Sequence, residues 1–411
     1  MLCHSRILVI LLSRDATCQA IGSPTMNIHV LFHASVLAVV PLAIWLYLTF
    51  ARGTFWRLHE DTIEPKPLKD WPYVIAIVPA RNEAETIARA VTTLLSQDYP
   101  GDFEIIVVDD QSDDGTATIA LRAAAESGAV ERLKVHTVSE LPPGWTGKLW
   151  ALNAGVYAAE KNPIYFWLTD ADVVHAPDTL RRLVFRAERD SLDLASLMVL
   201  LQAKTFPEKL LIPPFLYFFL MLYPPQWIAD PKKRTAGAAG GCILLRRNAL
   251  ERIGGIAAIR SEVIDDCALA RAVKRSGGKI WMGLTHASVS IRSYRSFAEI
   301  RDLVARTAFA QLRNSFLLLL ATIVGLLATY WLGWILFFTA EDPAWILAST
   351  AVSLMTVTFL FTVRFFGLSP IWAFTLPFAA AFYGYATCVS AVRYWLGRGG
   401  QWKGRAQAPR R

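Results

Sequence analysis

The chain has 411 residues, enough for one large domain with additions or for two domains. Only 18% of its residues are charged and 54% are hydrophobic, against about 25% charged in soluble domains, which argues against a wholly soluble protein. The net charge of +8 comes from scattered basic residues that flank apolar runs, without any nucleic-acid reader motif, so a membrane surface is the expected partner and nucleic acid is not. Cys3, Cys18, Cys242, Cys267 and Cys388 form no CxxC pair, so neither a zinc site nor a disulfide framework is indicated.

Residues 1–25 read as an uncertain N-terminal extension. The apolar run after Arg6 is short and is interrupted by Arg14 and Asp15, which is a poor signal peptide. Met26 opens a cleaner segment and is the expected start. Residues 26–50 form a predicted transmembrane helix, since only His29 and His33 break a run long enough to cross a hydrocarbon core of about 30 Å. Arg52, Arg57, Lys66 and Lys69 follow, which places the next domain in the cytoplasm. The charged, proline-containing stretch 51–72 reads as a linker.

Strand and helix then alternate. Strands are expected at 73–79, 103–108, 133–138, 165–174 and 192–201, with helices at 83–97, 113–126, 149–160 and from Pro177 to about 189. This order predicts an α/β fold, a mostly parallel sheet with helices on both faces. The stretch 206–228 is apolar and aromatic, yet it carries Pro207, Pro213, Pro214, Pro224 and Pro225. We read it as an interfacial or re-entrant segment, with a buried hairpin as the alternative. A strand at 238–245, a helix at 264–276 and one basic amphipathic helix at 296–314 complete the domain, 73–315.

Residues 316–392 hold two to three transmembrane helices, at 316–340, 345–363 and 371–392, before a basic tail, 393–411. One span before the domain and three after it would put that tail outside, against the positive-inside rule. The segment around Pro370 and Pro377 is therefore expected to cross only halfway.

Acidic groups stand where strands end. The most informative is Thr169-Asp170-Ala171-Asp172, after an apolar run with no polar face. Ligands of open α/β sheets bind outside the carboxyl ends of the strands. Two Asp there suit a hard cation, Mg²⁺ or Mn²⁺, completed by phosphate oxygens. Val78-Pro79-Ala80-Arg81-Asn82-Glu83 and Val107-Val108-Asp109-Asp110-Gln111-Ser112-Asp113-Asp114-Gly115-Thr116 end two more strands, and Asp265-Asp266 open a helix. Each alone could be a solvated turn or a helix cap.

Together these motifs resemble a membrane-anchored family 2 glycosyltransferase of GT-A fold, over roughly 73–314. Gly147-Lys148-Leu149-Trp150-Ala151-Leu152-Asn153-Ala154-Gly155, the DxD-type pair Asp170/Asp172, the Gly-rich stretch 237–255 and Asp265-Asp266 each have a counterpart in that family. The stretch 141–148 and the flanking spans resemble, more narrowly, the hopanoid-biosynthesis-associated glycosyltransferases of bacteria.

The resemblance implies a nucleotide-sugar donor, UDP-linked, held by Pro79, Arg81, Glu83, Asp109, Asp110, Lys148 and Asp170. It implies a divalent metal on Asp170 and Asp172, and Asp266 as general base for an inverting transfer. The acceptor it implies is a membrane lipid, with a hopanoid among the candidates, at the bacterial inner membrane. Processive members carry Gln-x-x-Arg-Trp; here Arg306 to Arg313 has no Trp and other spacing, which favours single transfer. A polyprenyl-phosphate glycosyltransferase or short polysaccharide synthase, and a non-catalytic membrane scaffold, are the alternatives.

Overall fold

A computed structural model describes residues 28–138, 140–397, 401–402 and 405–406. The extension 1–25, Met26, Cys3, Cys18 and tail residues such as Arg398, Lys403, Arg410 and Arg411 lie outside the described residues. The centre is an eight-stranded sheet. Its strands are β1 (Val74–Ala80), β2 (Phe103–Asp109), β3 (Leu133–Thr137), β4 (Tyr165–Thr169), β5 (Val173–His175), β6 (Leu194–Leu200), β7 (Cys242–Arg246) and β8 (Ile280–Ser290). They lie in the order β3-β2-β1-β4-β7-β6-β8-β5.

Strands β3, β2, β1 and β4 run parallel, as the alternating pattern predicts. All seven residues of β1 are buried, because helices cover both faces of this half. Gly155, on the helix Gly147–Tyr157, has no room for a side chain: a Cβ there would come within 2.5 Å of Ile77. Antiparallel pairing begins at β7, which joins β4 to β6. Strand β8 pairs parallel with β6 and therefore runs the same way as β4. Carboxyl ends of β1, β2, β4 and β8 thus share one edge with the amino end of β7. The expected strand 165–174 is two strands, β4 and β5, parted at Asp170–Asp172, and β8 was not expected.

One other expectation is corrected. The basic segment 296–314 is two short helices, Phe297–Ala305 and Ala308–Gln311, broken at Arg306 and Thr307. The proline-rich stretch is helical, Phe206–Leu222, and continues through Pro213 and Pro214. A capping box secures its start. Thr205 Oγ1 accepts from the Glu208 N–H, and Glu208 Oε2 accepts from the Thr205 N–H at 2.9 Å. Burial of Leu211, Ile212, Tyr217 and Leu220 offsets the backbone bonds the two prolines remove.

Among the described residues, five helices are long and apolar enough to cross a membrane, at 33–51, 206–229, 316–339, 344–365 and 370–395. The second lies between β6 and β7, which pair with each other, so both of its ends stay beside the sheet. The last also has both ends near the sheet domain. Phe365, just before it, accepts a hydrogen bond at its carbonyl from His286 Nε2 (2.9 Å). At the other end Arg393 pairs with Asp302 at 2.6 Å, and Ser390 donates to the Ala305 carbonyl at 2.5 Å. Pro377 lies in the first turn of Leu376–Trp395, where a missing N–H costs nothing. One hydrophobic core joins sheet and apolar helices: Ile75, Ile77 and Leu168 belong to the same cluster as Tyr217, Trp45, Tyr330, Met355 and Phe359.

Candidate active site

The shared edge of the sheet collects the acidic motifs. Tight turns follow β1 and β2, with left-handed φ at Asn82 and Gln111. These turns interlock: the Asn82, Glu83 and Ala84 N–H groups donate to Ser112 Oγ, Thr116 Oγ1 and Asp114 Oδ2. Arg81 donates to the Asp110 carbonyl, and Asp109 Oδ1 accepts from the Ser112 N–H at 3.3 Å. Asp109 and Asp110 are buried beneath this turn.

Thr169, the last residue of β4, is pinned from two sides. Its hydroxyl donates to the Gly241 carbonyl (2.9 Å), so it must accept from His175 Nε2 (2.8 Å). His175 Nδ1 then accepts from the Ser288 hydroxyl (2.8 Å). Burial pushes the His175 pKa down to about 3, so the ring is a neutral strut. It fixes the strand end from which Asp170 and Asp172 project.

Two cations of the chain lie against these carboxylates. Lys148 Nζ is 2.7 Å from Asp170 Oδ1 and 3.5 Å from Asp265 Oδ2. Burial alone would lower the lysine pKa, but Asp170, Asp265 and Asp266 outweigh it and keep the ammonium charged. Arg292, two residues past β8, donates from Nε to Asp172 Oδ2 (2.8 Å) and from Nη2 to both oxygens of Glu83 (2.8 and 3.1 Å). Ser290 Oγ also donates to Asp172 Oδ2, at 3.3 Å.

Asp266 stands at the start of the helix Asp265–Arg275. Its Oδ2 accepts from the Gly240 N–H (3.0 Å) and its Oδ1 from its neighbour's, Cys267 (2.6 Å). A Cβ on Gly240 would sit 3.3 Å from Lys148 Nζ and 3.4 Å from Asp266 Oδ2, so glycine keeps the two side chains within reach of one backbone. Burial, then the charge of Asp265, raises the Asp266 pKa to about 6; Lys148 and the two N–H donors oppose this. Burial likewise raises Asp170, against the pull of Lys148.

A cavity of about 630 Å³ holds this cluster. Pro79, Glu83, Lys148, Asp170, Asp172 and Asp266 line its polar part. Ile212, Phe215, Leu216 and Phe219, with Phe365 and Phe366, line an apolar wall. Of the residues expected from sequence, Arg81, in the turn after β1, and Asp109 and Asp110, at the end of neighbouring β2, flank the cavity rather than lining it. Arg292 was missed. The alternation of Ile280, Met282 and Leu284 with Trp281, Gly283 and Thr285 was the signal that could have located β8, and Arg292 beyond it.

Asp170 and Asp172 have one oxygen each engaged by Lys148 and Arg292, which leaves each carboxylate a second oxygen. That donor set fits Mg²⁺ or Mn²⁺ with phosphate oxygens completing the shell. Among the described residues no group of three or more His, Cys, Asp and Glu is placed to hold a metal, so a cation here needs those phosphate oxygens.

Residues 75–254 match the family model for glycosyl transferase family 2. This segment is similar to family 2 glycosyltransferase domains. The mannosyltransferase PcManGT of Pyrobaculum calidifontis, solved in complex with GDP-Man and Mn²⁺, superposes on 87% of this chain and 99% of its own, with TM-score 0.55 and 20% identity. The two share the GT-A fold. The probable glycosyltransferase YdaM of Bacillus subtilis is 27% identical over 218 residues, 51% of this chain and 47% of that protein. The beta-monoglucosyldiacylglycerol synthase of Trichormus variabilis is 33% identical over 120 residues, 29% of this chain and 24% of that protein. The chain thus spans less than half the length of these two relatives.

Proposed function

We propose that the chain is an inverting glycosyltransferase that moves one sugar from a nucleotide-sugar, UDP-linked, to a hydroxyl of a membrane lipid. The observation that carries this reading is the single cavity in which Asp170, Asp172 and Asp266 share a wall with Phe215, Phe219 and Phe366. A lipid tail fits the apolar wall while its head reaches the carboxylates. A hopanoid is the acceptor favoured by the sequence resemblance. The relative named a glucosyldiacylglycerol synthase supports a lipid acceptor as a class.

Asp266 takes the proton from the acceptor hydroxyl as its oxygen attacks the anomeric carbon, and one displacement inverts that centre. Glu83, Asp109 and Asp110, with Pro79 and Arg81, face the nucleotide, and Lys148 faces the diphosphate. A divalent metal held by Asp170 and Asp172 would supply positive charge to the leaving diphosphate. A polyprenyl-phosphate acceptor is the second reading, favoured by Arg306 on the cavity wall. Against it, Lys148 and Arg292 are each already matched to two carboxylates, which leaves the polar part net negative.

The test is purified protein with lipid extract, Mg²⁺ or Mn²⁺, and a panel of nucleotide-sugars. The expected result is nucleotide diphosphate release together with a lipid heavier by one sugar. Release without any glycolipid would overturn the lipid acceptor, and transfer only to lipid phosphates would select the second reading.

We further propose a bacterial inner-membrane protein crossing at 33–51, 316–339 and 344–365, with the sheet domain cytoplasmic. In this reading 206–229 lies along the membrane surface and 370–395 is re-entrant. The contacts of Ser390 and Arg393 with the sheet-side helix Phe297–Ala305 support this, and the basic tail then obeys the charge rule. A reporter fused after Arg411 is expected to signal the cytoplasm; a periplasmic signal would refute the re-entrant segment.

A further inference from the structure

We propose that Arg292 is the built-in counter-cation of the acidic cluster, and that it makes divalent-metal binding depend on the nucleotide diphosphate. This rests on the reading of Asp170 and Asp172 as metal ligands. Nothing in the family motifs pointed to Arg292. It reaches the site only because β8 runs the same way as β4 and delivers its carboxyl end to Asp172. The following loop is held in place: Glu208 Oε1, from the neighbouring helix, accepts from the Tyr294 N–H at 2.6 Å.

Its guanidinium uses separate nitrogens for separate partners. Nε serves Asp172 and Nη2 serves Glu83. A dication approaching Asp172 therefore meets a unit positive charge already 2.8 Å from Oδ2 of that carboxylate. Lys148 guards Asp170 in the same way, at 2.7 Å. Two such cations each occupy one oxygen of Asp170 and Asp172 in the absence of ligand and weaken the claim of that pair on a metal.

A diphosphate changes the balance. Its oxygens match the planar fork of an arginine better than one oxygen of Asp172 does. The guanidinium can turn toward the phosphate while Glu83 still tethers it, which releases Asp172 to the cation. Metal and nucleotide then bind with positive coupling, which is reciprocal between the two ligands.

The experiment follows free Mn²⁺ by electron paramagnetic resonance during titration of the detergent-solubilised full chain, with and without UDP or GDP. Wild-type protein is expected to bind Mn²⁺ about tenfold tighter with the matching nucleotide, within the usual range of such coupling. Arg292→Gln is expected to tighten nucleotide-free Mn²⁺ binding about tenfold and to shrink the nucleotide effect. Arg292→Lys keeps the charge but not the fork, and should fall between the two even if the Gln variant misfolds. If both variants bind nucleotide-free Mn²⁺ like wild type, or if nucleotide leaves the wild-type affinity unchanged, Arg292 has only a structural role. If no protein binds Mn²⁺ under any condition, the metal reading falls with the proposal.

Discussion

Replacing Asp266 by Asn is expected to lower sugar transfer by about two to four orders of magnitude while donor binding persists. The amide keeps the shape and can still accept from the Gly240 or Cys267 N–H, but it cannot take a proton. The pH dependence carries the same signature. Because burial and Asp265 raise the Asp266 pKa to about 6, wild-type transfer should rise as pH passes through about 6 and level off above it. Stability runs the opposite way. A carboxylate whose pKa is raised from 3.8 to about 6 on folding stabilises the fold fully below 3.8, and this contribution is lost as pH rises through about 6. The Asp266→Asn protein should therefore melt higher than wild type near pH 7.5, with the gap closing toward acid. Near-wild-type turnover would remove Asp266 from the base role. Lost turnover with lost donor binding would point to a collapsed site instead.

The second large effect concerns the metal. Chelation by EDTA is expected to stop transfer, and Mn²⁺ or Mg²⁺ to restore it. Asp172→Asn should lower the rate at saturating donor by roughly a hundredfold or more, since a metal's stabilisation of developing oxyanion charge reaches several kcal/mol and each 1.36 kcal/mol is a factor of ten. That variant also leaves Arg292 with Glu83 as its carboxylate partner, so part of the loss should recover at high Mn²⁺. Full activity in EDTA would assign the neutralisation of the diphosphate to Lys148 and Arg292.

Legibility in the sequence followed burial. Strands β1, β2 and β4 are largely apolar runs, and β2 and β4 lead directly into carboxylates, so these elements and the positions of Asp109, Asp110, Asp170 and Asp172 at their ends could be read directly. Strand β8 keeps its alternation only as far as Thr285 and breaks it at His286, where an apolar residue is called for, and this short pattern hid Arg292. Because the cost of interior prolines is a local rule, it could not be read from the sequence that Phe206–Leu222 is helical. Its capping box and buried face are what decide the outcome. The meeting of Lys148 with Asp170 and Asp265 depends on how β4, β7 and the following helix pack, and no local pattern records it.

The core shared by sheet and apolar helices has a practical consequence. Tyr217 packs edge-on against Phe55 and Phe359 and hydrogen-bonds Thr358 at 2.8 Å, so the sheet-side layer and the helix Ala344–Phe365 are one solid body there. A fragment cut before residue 316 would leave that face bare, and it should aggregate rather than yield a water-soluble transferase. On the proposed membrane reading, the helices that lipid surrounds also complete the core of the sheet domain, so the transferase is expected to need an amphiphile to stay folded.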